Sequence, residues 1–314
     1  MSKRMCLVLG GSGFLGQNLV ASLLEQEYPV RVLSRRAQTS VEWAANLGAR
    51  IEWLVGNFNE TLTVERSLEG VTAVFHLVSS TLPARPNSDA EREVVLNISS
   101  SAVLLELCRR MDVRKVVFFS SGGTVYGFPN SIPIVEDQPC EPITSYGIQK
   151  LAIEKYLGLY HHLYGLEVIS LRIANPYGPG QRSVSLQGFI GVSLNAILHD
   201  LELEIWGDGS VVRDYIHVED VTRAALLALN LGIGAQVVNI GSGVGTSLRD
   251  VLVELERATG QKARIRFQQG RPFDVPINVL SIAKAEKVLG WKPEIDLRRG
   301  IDQLVKKYKS HPGY

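Results

Sequence analysis

The chain has 314 residues, 45% of them hydrophobic, which is enough to bury one large core or two smaller ones. Its formal net charge of +1 excludes a strong general attraction to nucleic acid or to anionic membranes. Cys6, Cys108 and Cys140 lie far apart without a CxxC pair, so the sequence predicts neither a disulfide framework nor a metal site, and it favours a reducing, cytoplasmic location.

The amino terminus superficially resembles a secretion signal, because basic residues precede a short apolar run. Glycines end this run after Leu9, and no small-residue cleavage site follows. A strand that enters a glycine turn explains the pattern better. No segment reaches the ~18 consecutive apolar residues of a membrane span, so we expect a soluble protein.

Short apolar runs then alternate with helical patterns through the first half of the chain. The predicted strands read MCLVLG, VRVLSR, RIEWLVG, AVFHLVS, KVVFFSS and EVISLRIANPYG. The helical patterns between them include FLGQNLVASLLEQ, REVVLNISSSAVLLELCRR and YGIQKLAIEKYLGLYHHLYG. Nearly continuous apolar strands with helical crossovers predict a parallel sheet covered on both faces. Ligands of such sheets bind beyond the carboxyl ends of the strands.

The alternation ends after NPYGPGQ, where glycine and proline become frequent and short strands mix with helices. We therefore predict an α/β protein with a Rossmann doubly wound parallel sheet and a smaller carboxyl-terminal α/β substrate domain. The Rossmann domain is expected to comprise residues 1–174 plus about 214–243. The substrate domain would comprise residues 175–213 and 244–314.

A glycine-rich turn follows the first predicted strand and opens the first predicted helix. The segment GGSGFLG places Gly10, Gly13 and Gly16 in a GxxGxxG spacing. Glycines let the backbone approach a pyrophosphate, which rests at the positive N-terminus of the helix. The pattern alone is equally typical of an ordinary tight turn, but its place between strand and helix favours a dinucleotide site.

The residues after the second predicted strand indicate which dinucleotide binds. An NAD site usually has an acidic residue here, which binds the ribose hydroxyls. This chain has Ser34, Arg35 and Arg36 instead. A hydroxyl and guanidinium groups suit a 2′-phosphate, which favours NADP over NAD. The alternative is that these arginines are only solvated loop residues.

The segment VVFFSSGGTVYG gathers hydroxyls and glycines at the carboxyl end of a predicted strand. Downstream, YGIQK places Tyr146 and Lys150 four residues apart on one face of a helix. A tyrosine hydroxyl titrates near ~10 in model peptides, and a nearby ammonium and a nicotinamide cation would lower this pKa. Tyr146 could then exchange a proton with a carbinol at neutral pH.

Together these motifs resemble the extended short-chain dehydrogenase/reductases, in the NAD-dependent epimerase/dehydratase branch that acts on nucleotide sugars. The resemblance covers nearly the whole chain, through GGSGFLG, FHLVSS, the region of Asn97, SSGGTVYG, YGIQK, NPYG, GDGSVVRDYIHVEDV, GRPFDVP and LGWKP. Within this family, UDP-glucose 4-epimerases are the most similar well-known group.

The resemblance implies a role for each matching residue. Tyr146 would be the acid/base, and Lys150 would bind the nicotinamide ribose and lower the pKa of Tyr146. The expected cofactor-binding residues are Gly10, Gly13, Phe14, Leu15, Gly16, Ser34, Arg35, Asn57, Leu77, Val78 and Ser79, with Tyr146 and Lys150. The expected substrate-binding residues are Asn175, Arg213, Arg271 and Asp274. For Arg213 the alternative is a salt bridge with Asp214 or Glu219.

The chain departs from the family pattern at the adenosine end of the cofactor site. Ser34 and Arg35 replace the acidic residue typical of NAD binding. Asn57 stands where an aspartate is common near the adenine, and its amide can still accept a hydrogen bond.

A further departure lies in the hydroxyl-rich segment, because Gly122 occupies the place where a catalytic serine or threonine usually sits. Residues two apart in an extended chain face the same side, so Thr124 is expected to supply the missing hydroxyl. Ser121 is the other candidate. Gly123 and Thr124 also replace the acidic pair of the family's dehydratases, which argues against dehydration.

The leading functional hypothesis is an NAD(P)-dependent nucleotide-sugar epimerase that acts at C4 of a UDP-hexose through a transient 4-keto sugar. The alternative is an NADPH-dependent reductase of a 4-keto-6-deoxy nucleotide sugar, which the arginines after the second strand favour. A third hypothesis, a non-catalytic dinucleotide sensor, fits poorly because the chain keeps both Tyr146 and Lys150.

The resemblance also implies a homodimer that assembles through the helices around Val94–Arg109 and Leu151–Tyr164. The apolar residues of these helices could equally belong to the core of one chain. No metal, nucleic acid or membrane partner is expected.

Overall fold

A parallel sheet forms the centre of the computed structural model, which describes residues 4–45, 47–80, 90–181, 188–232, 234–271 and 274–310. The strands are β1 (Cys6–Leu9), β2 (Val30–Ser34), β3 (Glu52–Val55), β4 (Ala73–His76), β5 (Lys115–Ser121), β6 (Glu167–Ile173), β7 (Asn175–Tyr177), β8 (Glu202–Trp206), β9 (Val212–His217), β10 (Ala235–Ile240), β11 (Gly245–Ser247), β12 (Arg264–Gln268) and β13 (Ile277–Asn278).

Helices separate most of these strands. They are α1 (Phe14–Glu25), α2 (Glu42–Ala45), α3 (Thr61–Ser67), α4 (Ala90–Glu93), α5 (Ser100–Arg110), α6 (Ser145–Tyr164), α7 (Phe189–Leu198), α8 (Val218–Asn230), α9 (Leu248–Thr259), α10 (Ala283–Leu289) and α11 (Leu297–Ser310). A π-helical segment, Val94–Ser99, joins α4 to α5, and short 3₁₀ turns occupy Gln38–Ser40 and Gly48–Arg50.

The main sheet has the order β10-β6-β5-β4-β1-β2-β3, and every neighbouring pair in it is parallel. The strand order reverses between β1 and β4, as in a doubly wound Rossmann sheet. Alternate residues of each strand enter the two hydrophobic cores, so that Val116 lies in one core and Val117 in the other. The predicted fold class is confirmed.

The later strands pair outside the main sheet. Strand β9 pairs with β7, β11 and β13, and β8 pairs with β12. A separate apolar core lies between α7, α9 and α11, with Leu194, Leu255 and Leu304 at its centre. This part is the smaller carboxyl-terminal α/β unit of the predicted fold class. The residue boundaries given above for the two domains stay a prediction.

A buried carboxylate connects the two parts. Asp214 in β9 is fully buried, and its oxygens accept hydrogen bonds from the Ser242 amide and hydroxyl at 2.7 Å. They also accept from the amides of Gly243 and Leu280 at 3.2 Å. Burial raises the pKa of Asp214. One side chain thus holds the chain beyond β10 and the chain beyond β13 against β9.

In the part of the chain that the structure describes, no helix is both long and apolar enough to cross a bilayer. Within those residues, no group of three or more histidine, cysteine, aspartate or glutamate side chains could hold a metal ion.

The turn after β5 packs tightly at Gly122. The Gly122 amide donates to the Ile173 carbonyl at 2.8 Å, and its own carbonyl accepts from Asn278 Nδ2 at 3.2 Å. A Cβ at position 122 would lie 2.4 Å from Leu280 Cδ1 and 3.0 Å from the Arg172 carbonyl oxygen. Position 122 therefore has no room for a serine side chain.

We predict that Gly122→Ser lowers the free energy of unfolding by about 1–3 kcal/mol, because it overpacks a closed site. Gly123→Ser is the matched control, since a Cβ there meets its nearest neighbour, Ser121 Oγ, only at 4.0 Å. The control should change stability by about 0.5 kcal/mol or less. Denaturant unfolding of both variants measures this difference. Equal stabilities would show that the 122 site relaxes freely around a side chain.

Candidate active site

The carboxyl ends of β1, β4 and β5 meet at one edge of the sheet, and the segments that follow them lie together. A Cβ on Gly10 would be 3.3 Å from the backbone of both Leu77 and Val78, so the glycine turn touches the loop after β4. Ser79 follows in the same loop and is exposed. The expected cofactor residues from β1 and β4 are therefore neighbours.

The glycine turn has the backbone geometry of an anion site. Gly10 has φ +88°, and the Gly13 amide donates to the Gly10 carbonyl at 3.0 Å. A Cβ on Gly16 would lie 2.2 Å from the Gly10 oxygen, so only glycine permits this approach. Helix α1 begins at Phe14, and its N-cap, Gly13, makes no side-chain capping bond. The first-turn amides, including those of Phe14 and Leu15, have no acceptor within the helix and can bind an anion.

The arginines after β2 differ in their placement. Ser34 is buried, and its hydroxyl accepts from the Arg36 amide at 3.2 Å. The Arg36 guanidinium donates to the Ser12 carbonyl of the glycine turn at 3.2 Å, whereas Arg35 is exposed. Arg36 is therefore the arginine that contacts the dinucleotide turn. The sequence identifies both arginines but does not show which side chain points toward the glycine turn.

Asn57 lies at the same edge, next to Ser34. The amide of the preceding residue, Gly56, donates to the Ser34 carbonyl at 2.9 Å. The Asn57 side chain is half-buried, and its Oδ1 accepts from the Asn59 amide at 3.3 Å. The role of Asn57 near the adenine stays a prediction.

Tyr146 and Lys150 lie on the first turns of α6. Thr144 caps this helix, since its hydroxyl accepts from the Gly147 amide at 3.2 Å. Lys150 is almost fully buried; its Nζ donates to the Phe119 carbonyl at 2.8 Å and lies 5.6 Å from the centre of the Tyr146 ring. The ring of Phe118 also lies against the ammonium, with 4.7 Å from Nζ to the ring centre.

Burial dominates the titration of both groups in the protein alone. It lowers the pKa of Lys150 to about 8, against an opposing effect of the Glu154 carboxylate. It raises the pKa of Tyr146 to about 12, although a hydrogen bond with Ser121 acts in the opposite direction. The lowered tyrosine pKa expected from the sequence is thus not found in the protein by itself, because desolvation of the phenolate outweighs its polar neighbours.

The hydroxyls after β5 form a short chain toward Tyr146. Ser121 is the last residue of β5, and its hydroxyl bonds that of Tyr146 and accepts from Thr124 Oγ1 at 2.9 Å. The expectation that Thr124 reaches the site by the pleat of an extended strand is wrong, because residues 122–124 form a turn. The turn brings Thr124 onto Ser121, and Ser121 is the hydroxyl that contacts Tyr146.

A polar network ties α6 to the loop after β4, and sequence reasoning missed most of it. The Asn97 amide lies in the π-helical segment; its Oδ1 accepts from the Ser80 amide at 2.9 Å, and its Nδ2 donates to Gln149 Oε1 at 2.6 Å. The Gln149 amide in turn donates to a Glu93 carboxylate oxygen at 3.0 Å and to the Ser145 hydroxyl at 2.7 Å. The position of Gln149 between Tyr146 and Lys150 was the signal that could have identified it.

The expected substrate residues lie on and beside β9. Asn175 Nδ2 donates to the Asp214 carbonyl at 3.1 Å, and Arg213 Nη1 donates to the Val275 carbonyl at 2.7 Å. The salt-bridge alternative for Arg213 is not found among the described residues, because the Asp214 carboxylate bonds the 242–243 and 280 segments instead. Arg213 pairs with Asn278 in the β9–β13 register, and Asn278 contacts Gly122. Arg213 thus lies on the strand that pairs with β13, and β13 contacts the turn at Gly122.

Arg271 lies over an aromatic ring that the sequence analysis did not select. Its guanidinium carbon is 4.0 Å from the centre of the Trp206 ring, and Trp206 is 40% exposed. The Arg271 carbonyl accepts from the Asp274 amide at 3.1 Å. A stacked guanidinium and indole form a flat, positive surface that suits a base or a phosphate. Trp206 is the last residue of β8, in which exposed and buried residues alternate.

Comparisons with known proteins agree with this arrangement. Residues 6–241 match the model of the NAD dependent epimerase/dehydratase family. The chain is 34% identical to UDP-glucose 4-epimerase of Mycolicibacterium smegmatis (97% of this chain, 98% of the relative). It is 31% identical to dTDP-4-dehydro-6-deoxyglucose reductase of Escherichia coli (97% of each chain).

The fold also matches solved structures. The UDP-glucose 4-epimerase of Thermotoga maritima, solved with UDP-glucose, superposes with a TM-score of 0.91 at 34% identity, over 98% of this chain and 99% of that chain. With a family model that spans most of the sequence and relatives that span nearly all of it, the chain belongs to the NAD-dependent epimerase/dehydratase family.

Proposed function

We propose that this chain is a nucleotide-sugar 4-epimerase that interconverts UDP-hexoses differing at C4. The observation that carries the proposal is the Tyr146 phenol, bonded to Ser121 beside the buried Lys150, at the sheet edge that also holds the glycine turn. UDP-glucose 4-epimerases among its relatives and structural neighbours support it.

The residues at the edge fit a nicotinamide dinucleotide. Gly10, Gly13 and Gly16 bring the backbone close enough to hold a pyrophosphate against the start of α1. Leu77 and Val78 border the glycine turn, and Lys150 would bind the nicotinamide ribose. When bound, the nicotinamide supplies the hydride acceptor and donor that oxidation and reduction of a carbinol require.

Tyr146 exchanges the proton. As C4 is oxidised, the phenolate takes the proton of the C4 hydroxyl, and it returns a proton when the ketone is reduced on its other face. Ser121 donates a hydrogen bond to the phenolate, and Thr124 orients Ser121 through its own hydroxyl. The Lys150 ammonium also favours the phenolate, because an opposite charge nearby stabilises the ionised form.

The nucleotide end of the substrate would lie along β9. Arg213 and Arg271 supply positive charge for the diphosphate, and the Trp206 ring supplies a surface for the base. Asn175 and Asp274 lie beside these arginines and would bind the remaining polar groups.

The cofactor is proposed to be NADP in preference to NAD. Ser34 and Arg36 stand at the end of β2, where a carboxylate would otherwise bind the ribose hydroxyls. The exposed Arg35 guanidinium adds a second positive charge beside a 2′-phosphate. We also place the protein in the cytoplasm, since Cys6, Cys108 and Cys140 are free thiols.

The second candidate is the reduction of a 4-keto-6-deoxy nucleotide sugar with NADPH. A specific relative supports it, the dTDP-4-dehydro-6-deoxyglucose reductase of Escherichia coli. The same Tyr146 would then only donate a proton, and the arginines after β2 suit the 2′-phosphate of NADPH.

We predict that the purified protein converts UDP-glucose to UDP-galactose without net consumption of cofactor, and that mass spectrometry of the co-purified dinucleotide finds NADP(H). The decisive comparison is incubation with NADPH and a 4-keto-6-deoxy nucleotide sugar. NADPH consumption there, without UDP-galactose formation from UDP-glucose, would establish the reductase instead. Recovery of NAD alone would refute the NADP preference and leave the epimerase proposal intact.

We predict that Ser121→Ala lowers kcat by about 10²-fold, because it removes the hydroxyl that bonds Tyr146. Thr124→Ala should lower kcat by only about tenfold or less, since Thr124 acts through Ser121. Ser131→Ala, an exposed serine after the same strand, is the control and should leave kcat unchanged. A larger loss in Thr124→Ala than in Ser121→Ala would show that Thr124 contacts the substrate.

The homodimer is proposed to form through α5 and α6. Ile148, Tyr156, Leu159 and Leu163 recur at helical spacing along α6, and each is more than 40% exposed. Such a stripe of large apolar side chains is typical of a surface that another helix covers.

We predict a dimer in sedimentation equilibrium that Leu159→Glu converts to a monomer, because a carboxylate would lose its hydration in an apolar interface. Val253→Glu is the control, since Val253 is 60% exposed on α9, a helix of the smaller carboxyl-terminal unit. A wild-type monomer, or a dimer unaffected by Leu159→Glu, would rule out this interface.

A further inference from the structure

A buried ion pair lies directly behind Tyr146 and Lys150. Glu154 follows Lys150 by one helical turn on α6, and its carboxylate bonds the Arg172 guanidinium, with 2.7 Å between Oε2 and Nη2. Arg172 Nε donates to the same carboxylate at 3.1 Å. Both side chains are almost fully buried. Burying two charges costs desolvation free energy that can exceed their mutual attraction. Stability alone therefore does not account for an ion pair at this position.

Three consecutive residues of β5 each contact α6. The Phe119 carbonyl accepts from Lys150, the Ser120 hydroxyl donates to Glu154, and the Ser121 hydroxyl bonds Tyr146. The two serines thus have separate partners, one turn to either side of Lys150. Any slip of α6 along β5 would break all three contacts together.

Arg172 is itself held from several directions. It lies opposite Ser120 in the β5–β6 register, and its Nη1 donates to the Glu136 carbonyl at 3.3 Å. Its guanidinium lies 4.8 Å from the centre of the Tyr126 ring, and the Tyr126 hydroxyl donates to Asn239 Oδ1 at 2.7 Å. The Glu154 carboxylate therefore sits in one fixed place, with β5 and β6 on one side and Lys150 on the other.

From this geometry we propose that Glu154, fixed by Arg172 and Ser120, is a positioning residue that keeps Lys150 charged and in place beneath Tyr146. The inference rests on the proposed function, since it assigns Lys150 the task of favouring the Tyr146 phenolate. It adds residues from β5, β6 and the middle of α6 to a site otherwise built at the strand ends.

The charges around Lys150 agree with this role. Among the described residues, Glu154 and Tyr146 on its own helix and His76 from β4 face it, and the Arg172 cation of β6 is bound to the Glu154 carboxylate. Burial lowers the pKa of His76 to about 3, with a further effect of the Lys150 charge, so His76 is neutral at physiological pH. Tyr146 is neutral there as well. Glu154 is thus the negative charge that opposes the loss of the Lys150 proton.

The sign of the pH effect follows from the lysine. Lys150 is charged below its pKa of about 8 and loses its charge as the pH rises through that value. Without the Glu154 carboxylate, the charge is lost at a lower pH, because burial then acts unopposed. Activity that depends on the ammonium should therefore decline earlier on the alkaline side.

The test measures the Lys150 titration in the ligand-free protein, by NMR of ¹³C-labelled lysine side chains with Lys150→Met to assign the signal. In Glu154→Gln we expect the Lys150 pKa to fall by about 1 pH unit, and the alkaline limb of the kcat/KM profile to fall with it. Ser120→Ala keeps both charges, so it should lower kcat about fivefold with no shift of the titration.

Two further variants separate this role from stability. Leu157→Ala removes a buried side chain one turn further along α6 and should lower stability without moving the Lys150 titration. If Glu154→Gln fails to fold, the double variant Glu154→Gln with Arg172→Gln, which leaves no unpaired charge, is measured in its place. The Lys150 pKa should again fall, but by less than in the single variant, because the Arg172 cation has been removed as well.

An unshifted Lys150 titration in the folded Glu154 variant would overturn the inference and leave the proposed function intact. A shifted titration in a protein that turns over neither UDP-glucose nor a 4-keto nucleotide sugar would have the opposite meaning. In that case the lysine is tuned as inferred, but the proposed reaction is wrong.

Discussion

The contact between β5 and α6 is the constraint on which the site depends. Strand β5 is buried along its whole length, in the interior of a parallel sheet whose strands all end at the same edge. Its last three residues each contact a different turn of α6, through one carbonyl and two hydroxyls. Ser120 reaches the body of α6 at Glu154, while Ser121, at the end of the strand, reaches its first turn at Tyr146. Adjacent serines thus have different tasks.

The same contact creates an electrostatic conflict within the site. Packing α6 on β5 buries Lys150 and covers Tyr146, and burial disfavours the charged form of both groups. A tyrosine that exchanges protons needs the opposite, a stabilised phenolate beside a stable ammonium. Hydroxyls and a carboxylate placed around the pair reduce this conflict, and the bound cation of a cofactor would reduce it further.

The sequence predicted the sheet, its helices and the edge where ligands bind, because these follow from local patterns of apolar residues and glycines. It also located Tyr146, Lys150 and the glycine turn, which are short-range motifs. The sequence did not predict side-chain orientations that depend on the tertiary fold. Arg35 and Arg36 have the same chemistry, but only the structure shows that Arg36 turns toward Ser12.

Other failures have the same origin. Thr124 was expected at the site by the pleat of a strand, yet the turn at Gly122 ends the strand and places Ser121 there instead. Local rules could not show that Leu280, distant in the sequence, closes the space around Gly122. The exposed ring of Trp206 and the Gln149 network likewise depend on segments that only the fold brings together.

The absence of a side chain at Gly122 lets the turn after β5 contact the segment that pairs with β9. The missing side chain lets Leu280 pack against the turn, and Asn278 bonds the Gly122 carbonyl from the same segment. That segment continues into the pairing of Asn278 with Arg213 and is held by Asp214 through the Leu280 amide. A serine at position 122 would supply a hydroxyl but would displace this contact. Gly122 therefore supplies no hydroxyl, but its lack of a side chain permits a direct connection from the turn after β5, through Asn278 and Leu280, to β9.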